Sequence, residues 1–231
     1  MVHAKMKGDE GSAARLRQWI GVTGLSAVVT YVGATIAGSF LNPSYSQVRD
    51  HVSDLTATSA PTASELTPVY VFANLLVVAF GIGLYLASDR GSTSKTALRL
   101  LSINAIAGVA TVTWLRGDVH GTAATVAGAG HVGFAIVSFL AILVGLFVYG
   151  FAFKEDAAWR SLSIVTFVIG VMFAVFGPFA AAASATNNDL AGLAERGAIA
   201  LVTLWLLVVS FYALIHTGRP PSVTEGSGEA G

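Results

Sequence analysis

Six apolar runs, each as long as a helix needs to be to cross a bilayer, divide this chain and leave little else to fold. A helix rises about 1.5 Å per residue, so roughly 20 residues span the ~30 Å of hydrocarbon in a membrane. The runs are Trp19–Phe40, Ala63–Ala87, Ala97–Leu115, His131–Phe151, Ser161–Ala183 and Asp189–Ile215, the last beginning before its apolar core. Lipid offers no partner for a bare backbone, so segments of this length must close their own hydrogen bonds as helices. The expected fold is all-α: a polytopic membrane protein with six transmembrane helices in one bundle. Composition agrees, because only 11% of the 231 residues are charged, against roughly 25% in soluble domains. The expected organisation is an N-terminal tail over 1–18, the membrane domain over 19–216 and a disordered tail over 217–231.

Orientation follows from the basic residues, which accumulate on the cytoplasmic side of membrane proteins. Lys5, Lys7, Arg15, Arg17, Arg90, Lys95, Arg99, Lys154, Arg160 and Arg219 fall on one face; Arg49, Arg116 and Arg196 fall on the other. Ten against three predicts that both termini are cytoplasmic, in a multi-pass protein of the cell membrane. The long polar leader before Trp19 argues against a cleaved signal peptide. Formal net charge is zero, so no global field recruits nucleic acid; the partner expected is membrane lipid. A chain without cysteine can form no disulfide, thiolate metal site, iron–sulfur cluster or Cys nucleophile.

Small residues let helices approach in lipid. Thr23, Ser26, Thr30 and Gly33 make one stripe on the first span, and Ser163, Gly170, Gly177 and Ser184 make another on the fifth. Both are expected to be packing surfaces, as are Asn104, Gly108 and Thr111 on the third span and Asn74 and Gly81 on the second. Pro178 should bend the fifth span near its outer end.

The outward loops hold the reactive side chains. Ser46–Leu55 places Val48, Val52 and Leu55 at helical spacing with Asp50, His51 and Asp54 opposite, predicting a short interfacial helix. Its His51, Ser53 and Asp54 belong either to a site or to a solvated face. Thr62-Ala63-Ser64-Glu65 has capping-box form at the start of the second span. Arg116–His131 carries Asp118, His120 and His131 among Gly117, Gly121, Gly128 and Gly130. Histidine with carboxylate suits zinc, so Asp118, His120 and His131 form either a metal site or a satisfied interfacial cluster, and the cofactor is open with zinc as one candidate. Arg196 either pairs with Asp54 or Asp118, or holds a lipid phosphate as a substrate-binding residue.

Several of these residues resemble the domain of unknown function 998 family of six-helix membrane proteins. The matching pieces are Val52-Ser53-Asp54-Leu55, Asp118, His131, and Glu195-Arg196-Gly197 followed by Leu204-Trp205-Leu206. Where that family has an aromatic–proline step before its Asp, this chain has Leu115-Arg116-Gly117. The layout is also similar to proteins that remodel lipid anchors, and distantly to the alkaline-ceramidase-type transmembrane hydrolases, which use Ser, Asp and His around zinc. That second similarity implies Ser53, Asp54, Asp118 and His131 as catalytic residues, and a zinc held by His131 with His120, His51 and Asp118.

Two readings stand. In one, the cluster is a metal-dependent hydrolase site acting on membrane lipids. In the other, the protein is a non-catalytic structural or lipid-binding one, and the same residues form an ion-pair network that closes the bundle. A proton-coupled carrier or haem protein ranks lower, because the spans carry almost no ionisable groups near the midplane.

Overall fold

The computed structural model describes residues 2–88, 90–118, 125–186 and 188–217, with side chains described from residue 11 onward. Six α-helices account for nearly all of it: α1 (Val2–Leu41), α2 (Ala63–Ala87), α3 (Ser92–Thr113), α4 (Val126–Glu155), α5 (Ser163–Ala185) and α6 (Ala191–Ile215). Each contains a stretch long and apolar enough to span a membrane, that of α1 running over Gly11–Leu41. No strand occurs among the described residues. The helix bounds follow the apolar runs within a few residues, except that α1 continues back through the polar leader to Val2.

The helices form a ring. Each packs on its neighbours in sequence, and α1 closes the circle against α6. The start of α1 and the end of α6 therefore lie at one end, here called proximal, and the helices turn back between α1 and α2, α3 and α4, and α5 and α6 at the other, distal end. The outward surface is apolar, with Val29, Phe40, Ile164 and Val175 exposed. Such a belt has no place in water and is solvated by lipid tails.

Trp205 is the hub of the core. It is fully buried and meets the Phe80 ring edge-on at 5.8 Å and the Tyr149 ring at 5.1 Å. Its indole N–H donates to Thr166 Oγ1 at 3.2 Å, so one side chain on α6 joins α2, α4 and α5. Trp114 is exposed at the C-terminal end of α3, a position that an interfacial belt uses, whereas Trp19 is exposed well inside α1 and donates to the Ala79 carbonyl at 3.3 Å. At the proximal end, Arg17 donates to the His216 carbonyl at 2.6 Å and lies 5.7 Å above the Trp159 ring. That cation ties α1 to the end of α6 and to the α4–α5 turn.

Several local expectations are corrected. Ser46–Leu55 is not one helix: His51 is extended (φ −68°, ψ 154°), and a separate 3-10 turn runs over Val52–Thr56. The cause is Asp54, whose Oδ2 accepts the His51 N–H at 3.1 Å and restarts the chain in a new direction. Val52 and Leu55 are buried, whereas Val48 is exposed. The Thr62 capping box does not form either; Thr62 donates to the Leu55 carbonyl at 2.8 Å, and Glu65 accepts from Ser64. On α1 the close-packing residues are Gly21, Gly24 and Gly38, set against Leu214, Ser210 with Phe80, and Leu66 with Leu55. Gly33 of the expected stripe faces open space. The α5 stripe does pack: Ser163 donates to the Gly150 carbonyl at 2.9 Å, and Gly177 sits under Phe139. Asn104 donates to Ser138 Oγ on α4 at 2.7 Å, and Asn74, which bonds the Tyr70 carbonyl of its own helix at 2.9 Å, lies against Gly108 of α3, so both serve packing.

Trp205→Ala should cost about 3–5 kcal/mol, the usual loss for truncating a buried aromatic. A thermal melt of the detergent-solubilised variant measures it.

Candidate functional site

The polar residues of the distal end fall into two groups, and the first is built on the α1–α2 loop. An α-helix leaves its first amides without partners, and in a membrane those amides need protein acceptors. Gly192 and Leu193, in the first turn of α6, donate to the carbonyls of Arg49 and Val48 at 3.1 and 2.8 Å. The loop backbone thus caps α6. This approach requires Gly192, because a Cβ there would collide with the Asp50 carbonyl.

Side chains reinforce the joint. Arg196, one turn into α6, donates through Nη1 to the carbonyls of Asp50 and Gly192, both at 2.9 Å. Its Nη2 donates to the Tyr45 hydroxyl, and its guanidinium lies 5.4 Å over the Tyr45 ring. Burial pushes the Tyr45 phenol well above its ordinary pKa, so the group stays a neutral hydroxyl that accepts from Arg196 and donates to the His51 carbonyl at 2.9 Å. Glu195 accepts the Val52 N–H at 2.7 Å through Oε2. Asp50 is buried; it accepts from Ser46 N at 2.7 Å and pairs with Arg49 at 2.6 Å. That carboxylate raises the pKa of the exposed Arg49 guanidinium.

His51 reaches across to α5. Its Nε2 lies 2.7 Å from Ser184 Oγ, and its Nδ1 lies 3.8 Å from Asp54 Oδ2. Ser184 also donates to the Ala180 carbonyl at 2.9 Å. Ser53 sits half-buried in the same 3-10 turn.

The second group joins α3 to α4. Thr125 N-caps α4 by accepting from Gly128 N at 3.0 Å. Asp118 in turn accepts from Thr125 N and Thr125 Oγ1, both at 2.8 Å. These bonds favour the ionised carboxylate and hold its pKa below the usual range. His131 Nδ1 contacts the carbonyls of Leu115 at 2.9 Å and Thr111 at 3.3 Å, closing the C-terminal end of α3.

The sequence-predicted residues are therefore divided. His51, Ser53, Asp54 and Arg196 belong to the α1–α2 joint, Asp118 and His131 to the α3–α4 joint, and His120 lies outside the described residues. No three His, Asp or Glu residues among those described are placed to share a metal ion. His51 and His131 thus stand in different joints, and the described members of the expected zinc set do not come together. The expected pairing of Arg196 with Asp54 or Asp118 is replaced by carbonyl and phenol acceptors. Tyr45, Ser184, Gly192 and the capping role of the loop carbonyls were not found from sequence; a glycine in the first turn of an apolar helix was the one available signal.

The match to known proteins covers most of the bundle. The family described as protein of unknown function (DUF998) matches residues 25–212. This chain belongs to the DUF998 family. That stretch contains both distal joints and the Trp205 hub. The chain matches no curated protein and no solved structure.

Two outcomes follow from this geometry. Gly192→Ala should lower stability by about 1–3 kcal/mol, as overpacking does, measured by detergent melting. Asp118 protects the first turn of α4 only while ionised, so that protection is present above the ordinary carboxylate pKa of ~4 and lost as pH falls through the lower folded value. Hydrogen exchange at Thr125 and Gly128 should quicken at that acid pH, and Asp118→Asn should abolish the dependence.

Proposed function

We propose that this DUF998 protein is a structural, lipid-binding bundle whose distal polar cluster is a latch that seals the mouth of the ring. In this reading the termini are cytoplasmic and the latch lies at the outer face of the cell membrane, as the bias of basic residues implies. One observation carries it. Arg196 gives its two terminal nitrogens to Asp50 O, Gly192 O and Tyr45 Oη, so the cation is committed to protein oxygens that fasten the loop to α6.

The same economy holds around it. Glu195 is spent on the Val52 amide, Asp54 on the His51 amide and Asp118 on Thr125. Each ionisable group secures a piece of backbone that would otherwise meet lipid headgroups or tails unpaired. The partner is the membrane itself, which the exposed apolar belt contacts all round.

Removing the guanidinium would strand three acceptors beside a buried carboxylate. Arg196→Met should therefore cost on the order of 3 kcal/mol, whereas His131→Ala, which loses a bond to backbone oxygen, should cost about 1 kcal/mol. Thermal melts in one detergent compare the two. An Arg196→Met protein that melts with wild type would sink the latch.

A further inference from the structure

The latch explains why His51 is held in place, but it leaves one contact without a structural need. Ser184 already has an acceptor in the Ala180 carbonyl at 2.9 Å, as helical serines commonly do. A second partner, the His51 ring at 2.7 Å, comes from a different element of the bundle, 133 positions away in sequence. A serine hydroxyl within hydrogen-bond reach of an imidazole nitrogen is the arrangement that converts an alcohol into a nucleophile.

We propose that Ser184 and His51 form an acyl-transfer dyad that hydrolyses ester bonds of membrane lipids without a metal. Ser184 is the nucleophile and His51 the general base. The hydroxyl turns from Ala180 O to Nε2; Oγ attacks the acyl carbon, and its proton passes to the ring. The tetrahedral species collapses with cleavage of the ester C–O bond, the leaving alcohol takes that proton, and the acyl group stays on Ser184. Water repeats the sequence, giving its proton to His51 and releasing the fatty acid with the regenerated serine.

The surroundings suit this chemistry. Asp54, buried in the 3-10 turn, places its carboxylate 3.8 Å from the opposite ring nitrogen, beside the positive charge that forms when the ring takes the proton. From α6, Glu195 also bears on His51 electrostatically. The latch fixes the ring from behind, since Tyr45 holds the His51 carbonyl and Asp54 holds its amide. Ser184 itself is only half-buried, in the last turn of α5. In the same last turns of α5, Ala181 and Ala182 are exposed, and Phe179 is more than half exposed. In this proposal a lipid ester approaches the hydroxyl from the exposed side of these last turns of α5, the end of an apolar span.

This inference adds chemistry to the latch, and the two fail separately, because melting temperature reads the latch and covalent labelling reads the nucleophile. The test is a long-chain alkyl fluorophosphonate, which captures activated serines, applied to the full chain in lipid nanodiscs. The adduct is then located by peptide mass spectrometry. Wild type should carry it on Ser184, and Ser184→Ala should lose it while melting close to wild type. His51→Gln keeps a hydrogen-bonding partner for the hydroxyl but cannot accept its proton, and should slow labelling by at least about a hundred-fold, the lower range of general-base contributions. No adduct on wild type, an adduct on another serine, or equal labelling rates in His51→Gln and wild type would each overturn the dyad.

Discussion

The amides at the start of α6 set the terms for the whole distal end. A helix that begins at the edge of a membrane exposes donors that neither its own turn nor hydrocarbon can satisfy. Here the carbonyls of Val48 and Arg49 take the Gly192 and Leu193 amides, so the α1–α2 loop must lie across the N-terminus of the last helix. Once it lies there, Arg196 has carbonyls within reach and Glu195 meets the Val52 amide. The charged residues complete a joint that begins with backbone.

The rest of the ring answers a different demand. Lipid supplies no hydrophobic force between helices, so association relies on close packing and a few internal hydrogen bonds. Gly24 under Phe80 and Ser210, Gly177 under Phe139, and Asn104 on Ser138 are the contacts that provide it. Trp205 fills the space where three helices would otherwise leave a void. The two distal joints then close what the packing leaves open. One is fastened by Arg196 and the other by His131 against the end of α3.

How much of this was legible depended on the range of the interaction. Apolar runs gave all six helices, α2 over Ala63–Ala87 to the residue and the others less closely, α1 starting far earlier at Val2, because span length is a local property of the chain. The residues of the distal cluster were also visible, since ionisable groups are conspicuous in so apolar a sequence. Their partners were not. Arg196 was paired in expectation with carboxylates, yet it met carbonyl oxygens and Tyr45, which composition cannot distinguish from any other loop. Asp118 and His131 looked like ligands because their types suit zinc, but each is occupied with a helix end. Ser184 stood in a packing stripe, and only the fold brought His51 to it across α5. One end of the α1 stripe missed for a similar reason: which face of a helix meets a neighbour is decided by the ring, and Gly33 points away from it while Thr23 is buried.

The proximal tie made by Arg17 has a consequence for how the chain could be rewired. Its guanidinium reaches the His216 carbonyl at 2.6 Å, so the first and last spans end beside one another with the α4–α5 turn between them. The order in which the helices are threaded is thus nearly cyclic. A short peptide joining His216 to the residue before Arg17, in place of the chain on either side, with new termini opened in the α3–α4 connection, would preserve every neighbour relation in the ring. The bundle is, in that sense, a closed loop of six helices that the chain happens to enter at α1.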